Sequence, residues 1–157
     1  MKRWVLYFIA ISIIGFDQLT KYLVATYMEL GERIVVIPDF FTITSHRNTG
    51  AAFSILEGKM DFLLIVTIFA LGFFIYLIEQ YRHSNKWLTV SLAVMLGGAI
   101  GNFIDRLITG EVVDFFAFQF GSYHFAIFNV ADIALSLGVV AFAILLIFTS
   151  EREVKEK

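Results

Sequence analysis

The sequence predicts an all-α membrane protein: four transmembrane helices, a small extracytoplasmic β-rich cradle, and an interfacial segment between helices three and four. Three observations carry that expectation. Of 157 residues, 59% are apolar and 17% charged, whereas a soluble domain is usually just under half apolar. Four stretches reach the roughly 20 mostly apolar residues needed to cross about 30 Å of hydrocarbon. The ionisable residues inside those stretches gather toward one end of the helices rather than scattering.

The first predicted helix runs from Trp4 to about Met28, the second from Phe62 to about Tyr81, the third from Trp87 to Ile108, and the fourth from about Phe125 to Thr149. The first is the least uniform, because Asp17 and Lys21 interrupt it. Lys2 and Arg3 ahead of the apolar run from Trp4 to Phe16 resemble a cleaved leader. No small-x-small cleavage site follows, however, and the apolar pattern resumes after Lys21, so a retained helix is expected.

Orientation follows the excess of Lys and Arg in short cytoplasmic loops. Lys2, Arg3, Arg82, Lys86, Arg152, Lys155 and Lys157 fall on one side, against Arg33, Arg47, Lys59 and Arg106 on the other. Both termini are therefore expected in the cytoplasm. Residues 31–56 then lie outside; they are rich in β-branched and aromatic residues around Pro38 and carry a turn signal at Asn48-Thr49-Gly50, so a strand-rich platform is expected. Between helices three and four, Val112, Val113, Phe115, Phe116, Phe118 and Phe120 surround Asp114 in what reads as a short loop lying in the bilayer interface. No repeat or linker breaks the chain, which is read as one domain over residues 1–157.

Composition also excludes functions. A net charge of -2 without a basic tract leaves no surface for a nucleic-acid backbone. The absence of cysteine removes disulfides, thiolate metal sites and cysteine nucleophiles. His46, His83 and His124 show no HExxH spacing, which argues against a zinc peptidase. Ser122 and His124 lie near Asp114, but no GxSxG nucleophile elbow accompanies them.

Asp17 and Lys21 toward the end of helix one, Asn102, Asp105 and Arg106 in the last turns of helix three, Asn129 and Asp132 in the first turns of helix four, and Asp114 just before it all fall at one depth near the outer surface. A charge in hydrocarbon costs roughly 2.5 to 3.5 kcal/mol and usually marks a site or an internal pair. Asp17 and Lys21, spaced i,i+4, read equally as a mutually neutralising pair or as chemistry. Asp105 and Arg106 read as an interfacial ion pair or as site residues, and Asp132 as a helix cap or as a reacting group. Asp114 and Asp132 have no evident cationic partner in sequence. Two carboxylates sharing a low-dielectric site cannot both ionise easily and so share a proton, which is what aspartyl peptidase chemistry requires. The rival reading is a small proton-coupled membrane transporter, for which the same Asp and Lys would line an ion path.

At these residues the sequence resembles the bacterial lipoprotein signal peptidases, the type II signal peptidases. The matching blocks are Asp17-Gln18-Leu19-Thr20-Lys21, Asn48-Thr49-Gly50-Ala51-Ala52-Phe53, Gly101-Asn102-Phe103-Ile104-Asp105-Arg106, Val112-Val113-Asp114-Phe115 and Phe128-Asn129-Val130-Ala131-Asp132. One departure is Ile133, where many relatives carry serine. The resemblance implies an aspartic endopeptidase with Asp114 and Asp132 as its catalytic pair, Asn48, Gly50, Asn102, Arg106 and Asn129 binding substrate, and Asp17, Lys21 and Asp105 supporting the site. It implies hydrolysis before the lipidated cysteine of a diacylglyceryl-prolipoprotein, inhibition by globomycin, and a multi-pass protein among the lipids of the bacterial inner membrane with its active site on the extracytoplasmic face; a monomer is expected, though the sequence does not itself fix the oligomeric state. No metal or organic cofactor is implied.

Overall fold

The computed structural model describes residues 1–50 and 55–155. In chain order the elements are α1 (Arg3–Tyr27), β1 (Arg33–Ile37), β2 (Phe41–Asn48), α2 (Met60–Tyr81), α3 (Lys86–Ile108), β3 (Val112–Phe120), β4 (Tyr123–His124) and α4 (Val130–Lys155). All four helices contain a stretch long and apolar enough to cross a membrane. Three of them turn large apolar side chains outward, including Trp4, Phe8, Phe69, Leu137 and Phe148, as lipid rather than water would favour.

α3 is the central helix and packs against each of the other three. Its small residues make that possible. A Cβ added at Gly97 would lie 2.9 Å from the Ala10 carbonyl oxygen, and one at Gly98 would lie 2.5 Å from that of Ala131. Bare glycine thus lets α1 and α4 approach backbone to backbone, which is how helices associate where lipid removes the hydrophobic drive. Asn85 starts α3, its Oδ1 accepting from the amides of Trp87 and Leu88.

The strands form one antiparallel sheet in the order β1-β2-β3-β4. The segment expected as a short loop around Asp114 is instead the nine-residue strand β3, paired with β2 from Asn48 opposite Val112 to Phe41 opposite Phe118. Its β-branched and aromatic run suits a pleated surface, and pairing satisfies backbone groups that an apolar loop would leave open. Residues 51–53 of one matching block, and the side chains of Arg152, Lys155 and Lys157 used in the orientation count, lie outside what is described.

The fourth helix starts at Val130, five residues later than the sequence suggests. The backbone of Phe128 is already engaged: its amide donates to the Phe116 carbonyl, and its carbonyl accepts from the amides of Phe115 and Phe116. The Phe128 ring stacks on Phe118 with centroids 5.7 Å apart. Residues just before α4 are therefore held to β3 and cannot enter the helix.

Candidate active site

The acids, amides and cations singled out as candidate site residues lie where the C-terminal ends of α1 and α3 and the start of α4 meet β2 and β3. The deepest part is an ion cluster. Lys21 Nζ lies 2.8 Å from Asp17 Oδ2 and 2.9 Å from Asp105 Oδ2, and it donates its third hydrogen bond to Asn102 Oδ1 at 2.9 Å. All four residues are buried. An ammonium has three protons and no acceptor, so Lys21 is fully satisfied. Asp17 also ties α1 to α4, its Oδ1 accepting from the Ala131 amide at 2.8 Å. The i,i+4 pair expected from sequence forms, but as half of a larger cluster.

The asparagines carry the order of that cluster outward. With its Oδ1 held by Lys21, Asn102 presents Nδ2 to Asp132 Oδ1 at 2.7 Å. Asn129 Nδ2 donates to Asn102 Oδ1 at 3.1 Å and to Asp114 Oδ1 at 2.7 Å. Asn48 on β2 donates from Nδ2 to Asp114 Oδ2 at 3.0 Å. The two aspartates are thus linked through a pair of amides whose orientation Lys21 sets.

Asn129 does not sit in the helix, as its place in the sequence suggests, but at its start. Its backbone amide donates to Asp132 Oδ2 at 3.1 Å, while Asp132's amide donates to Asn129 Oδ1 at 3.0 Å. This reciprocal box satisfies two otherwise orphaned donors and fixes the Asp132 rotamer. The capping and site readings of Asp132 are therefore not exclusive: one oxygen caps and the other receives Asn102.

Asp105 and Arg106, neighbours that read as a pair, face different ways. Asp105 joins Lys21 and accepts from Gln18 Nε2 at 2.8 Å. Arg106 donates from Nη2 to the Gly50 carbonyl at 3.0 Å, and its buried Nε has no partner among the described residues. Gly50 in turn donates its amide to Asn48 Oδ1 at 2.9 Å. Gln18 is a site contact that the sequence reading does not single out; its position one residue after Asp17, toward the same end of α1, is the available signal.

These groups line one end of a cavity of about 720 Å³ that continues between α2, α3 and α4. Asn102, Arg106, Asp114 and Asp132 make the polar end, and Val66, Ala70 and Phe74 of α2 with Leu135 and Leu137 of α4 make apolar walls. The cavity pairs an ionisable head with an apolar slot between helices long enough to cross a membrane.

The profile of the family described as Signal peptidase (SPase) II matches residues 9–148. The chain belongs to the signal peptidase II family. A lipoprotein signal peptidase of Listeria monocytogenes serotype 4a is 49% identical over 149 residues, covering 95% of this chain and 96% of its own. That of Staphylococcus aureus strain JH9 is 46% identical over 149 residues, covering 94% and 91%. A solved bacterial membrane enzyme structure, determined by the in meso method at 2.3 Å, superposes with a TM-score of 0.86 at 42% identity, covering 96% of this chain and 92% of that one.

Within this signal peptidase II chain, Asp114 is the acid whose environment is most telling outside the membrane-spanning helices. Burial pushes its carboxyl up to about 7, and the nearby negative charge of Asp132 adds to the rise. The amides of Asn48 and Asn129, and the charge of Lys21, oppose it. Asp114 therefore retains a proton close to neutral pH, while two donors keep its oxygens oriented.

Proposed function

We propose that this chain is a membrane-embedded aspartic endopeptidase that removes the signal peptide from diacylglyceryl-modified prolipoproteins, hydrolysing the bond before the lipidated cysteine with Asp114 and Asp132 as its catalytic pair. The observation that carries this is the amide-bridged link between the two carboxylates at the head of an apolar slot. Membership of the signal peptidase II family answers the choice between peptidase and transporter in favour of the peptidase.

One carboxylate, ionised, takes a proton from a water between the pair; the other, protonated, polarises the scissile carbonyl and later protonates the leaving amine. The dyad titrates as a unit, so the two roles belong to the pair. Arg106 and Asn48 hold the substrate backbone. The buried Nε of Arg106, without a partner among the described residues, supports this reading, since a donor left unpaired there is satisfied when a carbonyl arrives. Asp17, Lys21 and Asp105 act through Asn102 as positioning residues, and Gly50 holds Arg106 and Asn48 in place.

In the same reading the signal helix occupies the slot between α2 and α4, the acyl chains stay among the lipids, and water enters from the extracytoplasmic side. The Met1 amine donates to the Arg82 carbonyl, so the N-terminus meets the α2–α3 turn at the end away from the sheet. With the basic residues concentrated at that end, both termini face the cytoplasm and the sheet rests on the outer surface. The chain works as one domain and as a monomer. Mass spectrometry of a lipidated prolipoprotein incubated with purified enzyme tests the reading. Cleavage before the modified cysteine, blocked by globomycin, is expected. Asp114→Asn and Asp132→Asn should each lose at least about 10² of turnover, the low end of a general acid or base contribution, while remaining folded. Near wild-type turnover in either variant would remove the dyad assignment.

A further inference from the structure

Two of the three histidines that look unrelated in the sequence meet beside Asp114. His46 on β2 lies directly opposite Asp114 on β3, so the two side chains share a face of the sheet. His124 closes β4. Together they line a second cavity of about 310 Å³ with Asn48, Asp114 and the stretch Phe125 to Ile127. Asn48, Asp114 and that stretch also line the larger cavity, so the two spaces adjoin at the Asp114 carboxylate. Their walls differ in kind. The larger space runs between apolar helix faces, whereas the smaller one has no contribution from α2 or α4 and presents two imidazoles, an amide and a carboxylate.

We propose that the cavity of His46 and His124 is the subsite for the first residues of the mature chain, just after the lipidated cysteine, and that the two imidazoles select a polar side chain there. The inference rests on the peptidase reading. A peptide cleaved at Asp114 must extend away from it in both directions. Its apolar signal half matches the slot between the helices, so the half leaving the bilayer runs toward the sheet, where this cavity is the adjoining space. A neutral imidazole offers one donor and one acceptor, so a polar side chain is satisfied in the cavity. An apolar side chain of similar size would strip water from both rings without replacing its hydrogen bonds.

The test uses full-length enzyme in lipid and two diacylglyceryl-prolipoproteins that differ only at the residue after the cysteine, Asn in one and Leu in the other. Wild-type kcat/KM should favour Asn by about fivefold, the size expected of one neutral hydrogen bond. The His46→Leu/His124→Leu variant should bring the ratio to one or below, and His46→Gln/His124→Gln, which keeps hydrogen-bonding groups, should restore the preference. A photoreactive group at that substrate position should crosslink to residues 124–127 rather than to α2, a readout that stands even where a double variant folds poorly. Equal cleavage of both substrates by wild type, an unchanged ratio in the leucine variant, or crosslinks on α2 would overturn the subsite. Cleavage of neither substrate would instead overturn the peptidase reading itself.

Discussion

Replacing Lys21 with methionine tests whether the buried ion cluster holds together the end of the bundle that meets the sheet. Methionine keeps much of the length and apolar stem but none of the three protons that reach Asp17, Asp105 and Asn102 at 2.8 to 2.9 Å. The side chains of Asp17 and Asp105 are 0% and 8% exposed, so water does not replace the lost ammonium. Removing one partner of a buried ion pair costs about 3–5 kcal/mol, because the charge left behind is uncompensated. At about 2–4 °C per kcal/mol for a chain of this size, the unfolding midpoint should drop by about 6–20 °C. Thermal unfolding of purified protein, followed by tryptophan fluorescence, measures this. Adding Asp17→Asn to the methionine variant removes one orphaned charge and should recover part of the loss. A midpoint within about 2 °C of wild type, or no recovery in the double variant, would refute the account of uncompensated charge.

Two further outcomes follow from the same geometry. Because Asp114 titrates near 7, its proton is present below that pH and lost above it, so kcat/KM should fall about tenfold per pH unit on the alkaline side; a profile flat to about pH 9 would contradict a shared proton. Gly98→Ala places a Cβ 2.5 Å from the Ala131 carbonyl and should cost about 1–3 kcal/mol by forcing α3 from α4. Gly72→Ala on α2 meets nothing within 4 Å and should be neutral, so equal melting of the two variants would count against the close-packing argument.

The spans were legible because a bilayer demands long apolar runs, and that demand is one-dimensional: the ends of α1, α2 and α3 fall within two residues of where hydropathy puts them. That Asp17, Asn102, Asp114 and Asp132 gather at one end of the bundle was legible for the same reason. What sequence spacing does not carry is direction around a helix end. Asp105 and Arg106 are adjacent, yet one turns to Lys21 and the other to the Gly50 carbonyl. β3 was obscured because a run of apolar aromatics reads equally as a membrane-surface loop or as a strand, and only β2 as a partner decides between them. The late start of α4 depends on Phe128 bonding back to Phe116, a non-local contact that no helical period reveals. The convergence of His46 and His124 is likewise a product of strand register.

The pairing of Asp17 with Lys21 four residues later also bears on biosynthesis. Within α1 alone, before any contact with α3 or α4, the acid and the base already have each other as partners. Spaced one turn apart, they neutralise each other within a single helix. Charge balance in α1 therefore does not wait on the other helices, and Asp105, Asn102 and Ala131 add their contacts to a pair that is already neutral, a division that would ease insertion of this helix into lipid.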